Sequence, residues 1–155
     1  MKRIVLASGG LDSSALLTIL PKEDTVALFY DYGQACVKQE RKSLEIVTEK
    51  LGIPMLEIDI VEVFKRSNSS IVNGGENKHE VECRNLVFIA NAISVAMQLF
   101  PQKKVDVLLG LIKIRMPYPD CTIDFIRRCN DLAQMVSNGC VQISAPFADI
   151  GKDDV

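Results

Sequence analysis

The residues of this chain best suited to chemistry stand together near its start: Ser8-Gly9-Gly10-Leu11-Asp12-Ser13-Ser14. Ile4-Val5-Leu6-Ala7, just before them, is a short apolar run with β-branched residues, the pattern of a strand covered on both faces. Two glycines permit a sharp turn and a close approach of backbone to a bound group. Asp12, Ser13 and Ser14 then open residues 15–20, which read as a buried helix stopped by Pro21. A Gly-rich turn from a strand into a helix gathers free N–H groups and the positive dipole end on one spot, which suits a phosphate. The Ser13 and Ser14 hydroxyls add two donors. The same string also fits an ordinary turn in which Asp12 or Ser13 caps the helix. It is neither a Walker loop, lacking the Gly-Lys-Ser/Thr ending, nor the Gly-x-Gly-x-x-Gly fingerprint.

Three further groups of polar residues follow at element ends. Asp31-Tyr32-Gly33-Gln34 closes an apolar run, where ligands of α/β proteins bind, or forms a solvated turn. Arg84-Asn85 heads an apolar helix; the guanidinium fork matches a carboxylate or a phosphate, and otherwise a surface ion pair. Asp120, in Tyr118-Pro119-Asp120-Cys121, stands where it could cap a helix beginning at Thr122. His79 lies in a polar stretch and reads as a surface residue rather than a base. The five cysteines include no Cys-x-x-Cys pair and read as reduced, mostly buried thiols, so neither a disulfide framework nor a metal site is expected.

The elements that must position these groups alternate. Apolar strand-like runs at 25–30, 55–60, 104–110 and 141–145 join the first one. Helical patterns lie between them at 35–50, 86–100 and 122–137, with Gly52 and Asn138-Gly139 as stops. This rhythm predicts an α/β fold: a five-stranded parallel sheet with helices on both faces. Residues 63–81 break it and read as a long polar surface loop that forms part of a lid. Residues 112–120 read as a second site loop. At 155 residues the chain is expected to form one domain, 1–155. It is 48% apolar and 25% charged with net charge −2, as in a soluble globular protein without a broad basic face for nucleic acid. It has neither a membrane-spanning run nor a secretory signal, so a cytoplasmic location is expected.

Ser-Gly-Gly-x-Asp-Ser directly after the first strand resembles the PP-loop of the ATP pyrophosphatases. These enzymes cleave ATP between its α and β phosphates and adenylate a carboxylate, amide or carbonyl oxygen. The order of Phe29-Tyr30-Asp31-Tyr32-Gly33-Gln34, Arg84-Asn85, Tyr118-Pro119-Asp120-Cys121 with Phe125, and Ala145-Pro146-Phe147 narrows this. Together they resemble the 7-cyano-7-deazaguanine (preQ0) synthase family of queuosine biosynthesis, over essentially the whole chain. That family converts the carboxylate of 7-carboxy-7-deazaguanine to a nitrile with ammonia and ATP, through an adenylate and an amide.

The resemblance implies an adenine nucleotide alpha hydrolase-like fold. It implies that Ala7, Ser8, Gly9, Gly10, Leu11, Asp12, Ser13, Ser14, Ala15, Leu16 and Leu17 surround ATP, with Asp12 toward Mg²⁺. Tyr32, Gln34, Arg84, Asn85, Tyr118 and Asp120 would hold the deazapurine acid. Of these, Asp12, Arg84 and Asp120 are the expected catalytic residues, Asp120 reading the guanine-like edge. The expected partners are small molecules, with no nucleic acid and no membrane, in a homo-oligomer, a dimer. The chain departs from the family in three places. Glu82-Cys83-Arg84-Asn85 replaces Pro-Gly-Arg-Asn, residues 114–117 are bulkier and more basic, and the four-cysteine zinc site beyond this point is not in the sequence. Two alternatives share the loop: a non-catalytic ATP-binding subunit, and another PP-loop amidating or thiolating enzyme, in a host, phage or defence setting.

Overall fold

The computed structural model describes residues 1–72, 80–112 and 118–149. Strand β1 (Lys2–Leu6) runs into helix α1 (Leu11–Ile19), β2 (Thr25–Asp31), α2 (Val37–Leu51) and β3 (Met55–Asp59). A single turn, α3 (Val61–Phe64), precedes α4 (Arg84–Leu99), β4 (Val105–Leu109), α5 (Ile123–Val136) and β5 (Val141–Ser144). All neighbouring strands pair in parallel, in the order β3-β2-β1-β4-β5.

The order reverses at β1. The chain first steps outward to β2 and β3, then returns past β1 to β4 and β5. Right-handed crossovers therefore place α1 and α2 on one face and α4 and α5 on the other. The packing follows this division. Val5, Ala27, Phe29 and Leu108 meet Leu16, Leu17 and Leu44 on one side. Ile4, Leu28, Val107 and Ile143 meet Ile89, Ile93, Ile126 and Ala133 on the other. The middle strands are apolar on both faces because both faces are covered.

The register aligns the ends of β1 and β4, Leu6 opposite Leu109, while β2 passes Leu6 at Leu28 and runs three residues further, to Asp31. These ends form the floor of a crevice at the point where the strand order reverses, the place where open α/β sheets receive ligands.

The sequence pattern predicts a polar surface loop over 63–81, but the described residues of that range include apolar anchors in the core. Phe64 and Val81 are buried in the larger core cluster, with Ile71 and Val72 packed against it. The Ala35 N–H donates to the Ile71 carbonyl at 2.9 Å, tying the segment to the turn after β2. Alternating polar residues concealed these four apolar anchors. Positions 73–79, including His79, lie outside the described residues, as do 113–117.

Candidate functional site

The Gly-rich turn is held from behind by α2. Gly9 has φ +72°, and a Cβ there would lie 2.4 Å from the Glu40 carbonyl oxygen. The Ser43 hydroxyl donates to the Gly9 carbonyl at 2.8 Å. Gly10 differs: its φ is −75°, and a Cβ there would meet only the Ser8 Oγ, at 3.4 Å. Gly9 thus answers to the protein's own packing, while Gly10 leaves open space on the crevice side. Gly110, at the end of β4, lets the start of α1 rest on it; a Cβ there would stand 3.1 Å from the Ser13 nitrogen.

Gly10, rather than Asp12 or Ser13, is the N-cap of α1, and no side chain caps it. The first-turn N–H groups are therefore not taken by a capping side chain. The Ser13 hydroxyl donates back to the Gly10 carbonyl at 3.2 Å.

In front of this turn lies a crevice of about 290 Å³. From the predicted nucleotide set it is lined by Ala7, Ser8, Gly10, Asp12 and Ser13. Leu16 and Leu17 are fully buried in the core beneath α1, and Leu11 faces outward, 71% exposed. Gly9, Leu11, Ser14, Ala15, Leu16 and Leu17 are not among the lining residues.

The opposite wall is aromatic and carries Arg84. The Arg84 Nη1 donates to the Tyr32 hydroxyl at 3.1 Å. Its guanidinium carbon lies 5.6 Å from the Tyr32 ring centroid and 5.9 Å from that of Phe88. Phe88 stacks on Tyr30 at 4.5 Å. Burial holds the Tyr32 hydroxyl above its ordinary pKa, and the neighbouring Arg84 charge opposes that only in part. The phenol is neutral at pH 7, and the guanidinium, in the crevice lining, has N–H donors beyond the one given to Tyr32.

Gln34 also lines the crevice, but its polar atoms serve the turn. Its Oε1 accepts from the Tyr32 N–H at 3.0 Å, and its Nε2 donates to the Tyr30 carbonyl at 3.2 Å and to Glu40 at 2.9 Å. Arg41 of α2 braces the same corner, binding Glu57 through two nitrogens and Asp31 at 2.9 Å.

Asn85 is in the lining, whereas Tyr118 and Asp120 are not. Asp120 is not the N-cap of α5 either. Thr122 fills that position, accepting from the Phe125 N–H at 3.1 Å. Instead the Asp120 Oδ2 accepts the Asn85 backbone N–H at 2.9 Å, on the first turn of α4. A local pattern suggested the adjacent helix, and a contact 35 positions back along the chain won. Glu40, Phe88, Gly110 and Leu111 complete the crevice and carried no sequence motif. The Gly at the end of the β4 run was the one available signal.

Sheet, reversal point and uncapped Gly-rich turn define a parallel α/β protein with a crevice that lies between one helix N-terminus and Arg84. The family profile described as "Queuosine biosynthesis protein QueC" matches residues 2–155, and the chain belongs to that family. Its curated relatives include the 7-cyano-7-deazaguanine synthase of Methanosphaera stadtmanae, 28% identical, with 99% of this chain matching 76% of that one. They also include 7-cyano-7-deazaguanine synthase 1 of Sulfurisphaera tokodaii, 30% identical over 98% of this chain and 72% of that one. Among solved structures, a predicted subunit of tRNA methyltransferase from Methanocaldococcus jannaschii shares the fold, with TM-score 0.53 at 17% identity. It matches 99% of this chain and 71% of its own. Among the described residues no helix is long and apolar enough to cross a membrane, and no group of three or more His, Cys, Asp or Glu could hold a metal ion.

Proposed function

We propose that the chain is an ATP-dependent carbon–nitrogen ligase of the 7-cyano-7-deazaguanine synthase type. It activates the carboxylate of 7-carboxy-7-deazaguanine as an adenylate and, with ammonia, carries it through the amide to the nitrile. The observation that carries this reading is the pairing, across one crevice, of the uncapped α1 N-terminus with the Arg84 guanidinium. One can hold the triphosphate and the other the acid, so that a carboxylate oxygen meets the α-phosphorus while pyrophosphate departs.

Gly10 leaves room for the phosphates to reach the backbone, and the N–H groups of the first turn point at them. Preorganised donors of this kind favour the charge that gathers on departing pyrophosphate without reorganising in the step. Mg²⁺ bound with ATP supplies further charge neutralisation, and Asp12, in the lining, is the carboxylate placed to meet it. Phe88 and Tyr32 line the crevice beside Arg84 and supply an apolar wall against which a flat heterocycle can lie.

The test is exchange of labelled pyrophosphate into ATP. We expect exchange that depends on 7-carboxy-7-deazaguanine, and Arg84→Ala should weaken the acid by about ten- to a hundredfold while leaving ATP affinity nearly unchanged. Acid-independent exchange, or none with ATP bound, overturns the reading. The exposed Leu132, Met135 and Val136 of α5 offer a surface for pairing two copies. Light scattering returning 17.2 kDa at every concentration would exclude that dimer.

A further inference from the structure

We infer that Asp120 is a positioning residue for Arg84, setting the guanidinium through the first turn of α4 rather than touching the ligand. The inference rests on the proposed role of Arg84. The chain enters α4 through Cys83, a non-glycine residue at φ 55° and ψ 23°. Such an entry is not held by backbone preference and needs outside contacts to keep it.

The Ser67 hydroxyl donates to Glu82 at 3.0 Å and the Arg84 N–H to the Val81 carbonyl at 3.2 Å, and the contacts to the first turn of α4 itself come from one short stretch. The Asp120 Oδ2 accepts the Asn85 backbone N–H at 2.9 Å, and the Asp120 carbonyl accepts the Asn85 Nδ2 at 3.0 Å. The same Nδ2 lies 3.1 Å from the Cys121 sulfur, whose thiol is 3.7 Å from the Asp120 Oδ1. Asn85 is 7% exposed, so these partners replace water for its side chain. The clamp is anchored in turn: the Cys121 N–H donates to the Tyr118 carbonyl at 2.9 Å, and Thr122 caps α5 next to it.

Arg84 is the residue directly before Asn85 and the first of α4. Winding or unwinding of that turn moves the root of its side chain, and with it the donors facing the crevice. Arg84 and Asn85 line the crevice and Asp120 does not, so Asp120 acts at one remove. An asparagine at this position keeps an oxygen to accept the Asn85 N–H and a carbonyl for Nδ2; an alanine keeps only the carbonyl.

The experiment compares Asp120→Ala, Asp120→Asn and Arg84→Ala in the full chain, alone and combined. Two readouts serve: the Nε–H signal of Arg84 in protein labelled with ¹⁵N-arginine, and the affinity for 7-carboxy-7-deazaguanine. We expect the Arg84 signal to be sharp and slow to exchange in wild type and in Asp120→Asn, and averaged in Asp120→Ala. Asp120→Ala should weaken the acid by about ten- to a hundredfold with ATP affinity unchanged, and Asp120→Asn by less than about threefold. In the Arg84→Ala background, Asp120→Ala should add no further loss of acid affinity. Additive losses, or an Arg84 signal indifferent to Asp120→Ala, overturn the inference. Asp120→Asn weakening the acid as much as Asp120→Ala would show a carboxylate that contacts ligand, and would overturn it too. If wild type binds no deazapurine acid, the substrate reading fails, while the Arg84 signal still decides the positioning role without ligand.

Discussion

The two glycines of Ser8-Gly9-Gly10 do different work, and their neighbours show which does what. Gly9 faces the backbone of α2, where an added Cβ would meet the Glu40 carbonyl at 2.4 Å, and its φ of +72° disfavours any side chain. Gly9→Ala should therefore cost about 1–3 kcal/mol of stability. Gly10 is extended and open toward the crevice. Threonine caps a helix about as well as glycine, so Gly10→Thr should leave the melting temperature nearly unchanged while filling the space a phosphate needs. Thermal melts and calorimetric ATP titrations of both variants check this. A destabilised Gly10→Thr that still binds ATP as wild type does would reverse the assignment. The motif in the sequence marks the turn but cannot separate its glycines, because the atom that distinguishes them belongs to Glu40, far along the chain from Gly9. Asp120 is a similar case: its partner Asn85 lies 35 positions back, and only the folded chain brings the two together.

At the scale of elements, the strands were legible because each is a short apolar run rich in branched residues, closed by a polar or turn residue. Helix α2 was legible for a different reason: its apolar residues recur at helical spacing, and Gly52, at φ 68°, ends it as a left-handed cap. It begins at Val37, two residues later than the pattern predicts, because the turn is set by Gln34, whose side chain binds Tyr30, Tyr32 and Glu40. The entry to α4 was the hard case. Cys83 occupies a left-handed conformation that costs an ordinary side chain about 1–2 kcal/mol. Glycine would relieve that strain, offset in part by its greater freedom in the unfolded chain. Cys83→Gly should thus raise the melting temperature by about 2–4 °C. Differential scanning calorimetry decides it: an unchanged or lowered midpoint would mean that the Asp120 clamp, not the backbone preference, sets the whole cost of that turn.

Among the described residues of the molecule, the groups whose ionisation the fold opposes are thiols and phenols, and they lower stability at alkaline pH. Burial and the Asp120 carboxylate push the Cys121 thiol up to about 11, from 9.0. Burial raises Cys129 as well, and the bond from its thiol to Glu40 raises Cys36. The hydroxyls of Tyr30 and Tyr32 are raised above 10.0 by burial. A group whose folded pKa exceeds its unfolded value stabilises the fold fully below the unfolded pKa. That contribution disappears as pH climbs through the folded value. The thiols therefore begin to withdraw stability above about pH 9, and the two tyrosines join above about pH 10. The melting temperature should be level from pH 7 to 8.5 and fall between pH 9 and 11. Cys121→Ser isolates one share of the fall: a serine hydroxyl can still donate to Asp120 but does not titrate in this range. Its profile should drop less steeply between pH 9 and 11 than that of wild type. Superimposable profiles would show that the Cys121 proton is not held by the fold, and that the contact between its thiol and Asp120 does not persist in solution.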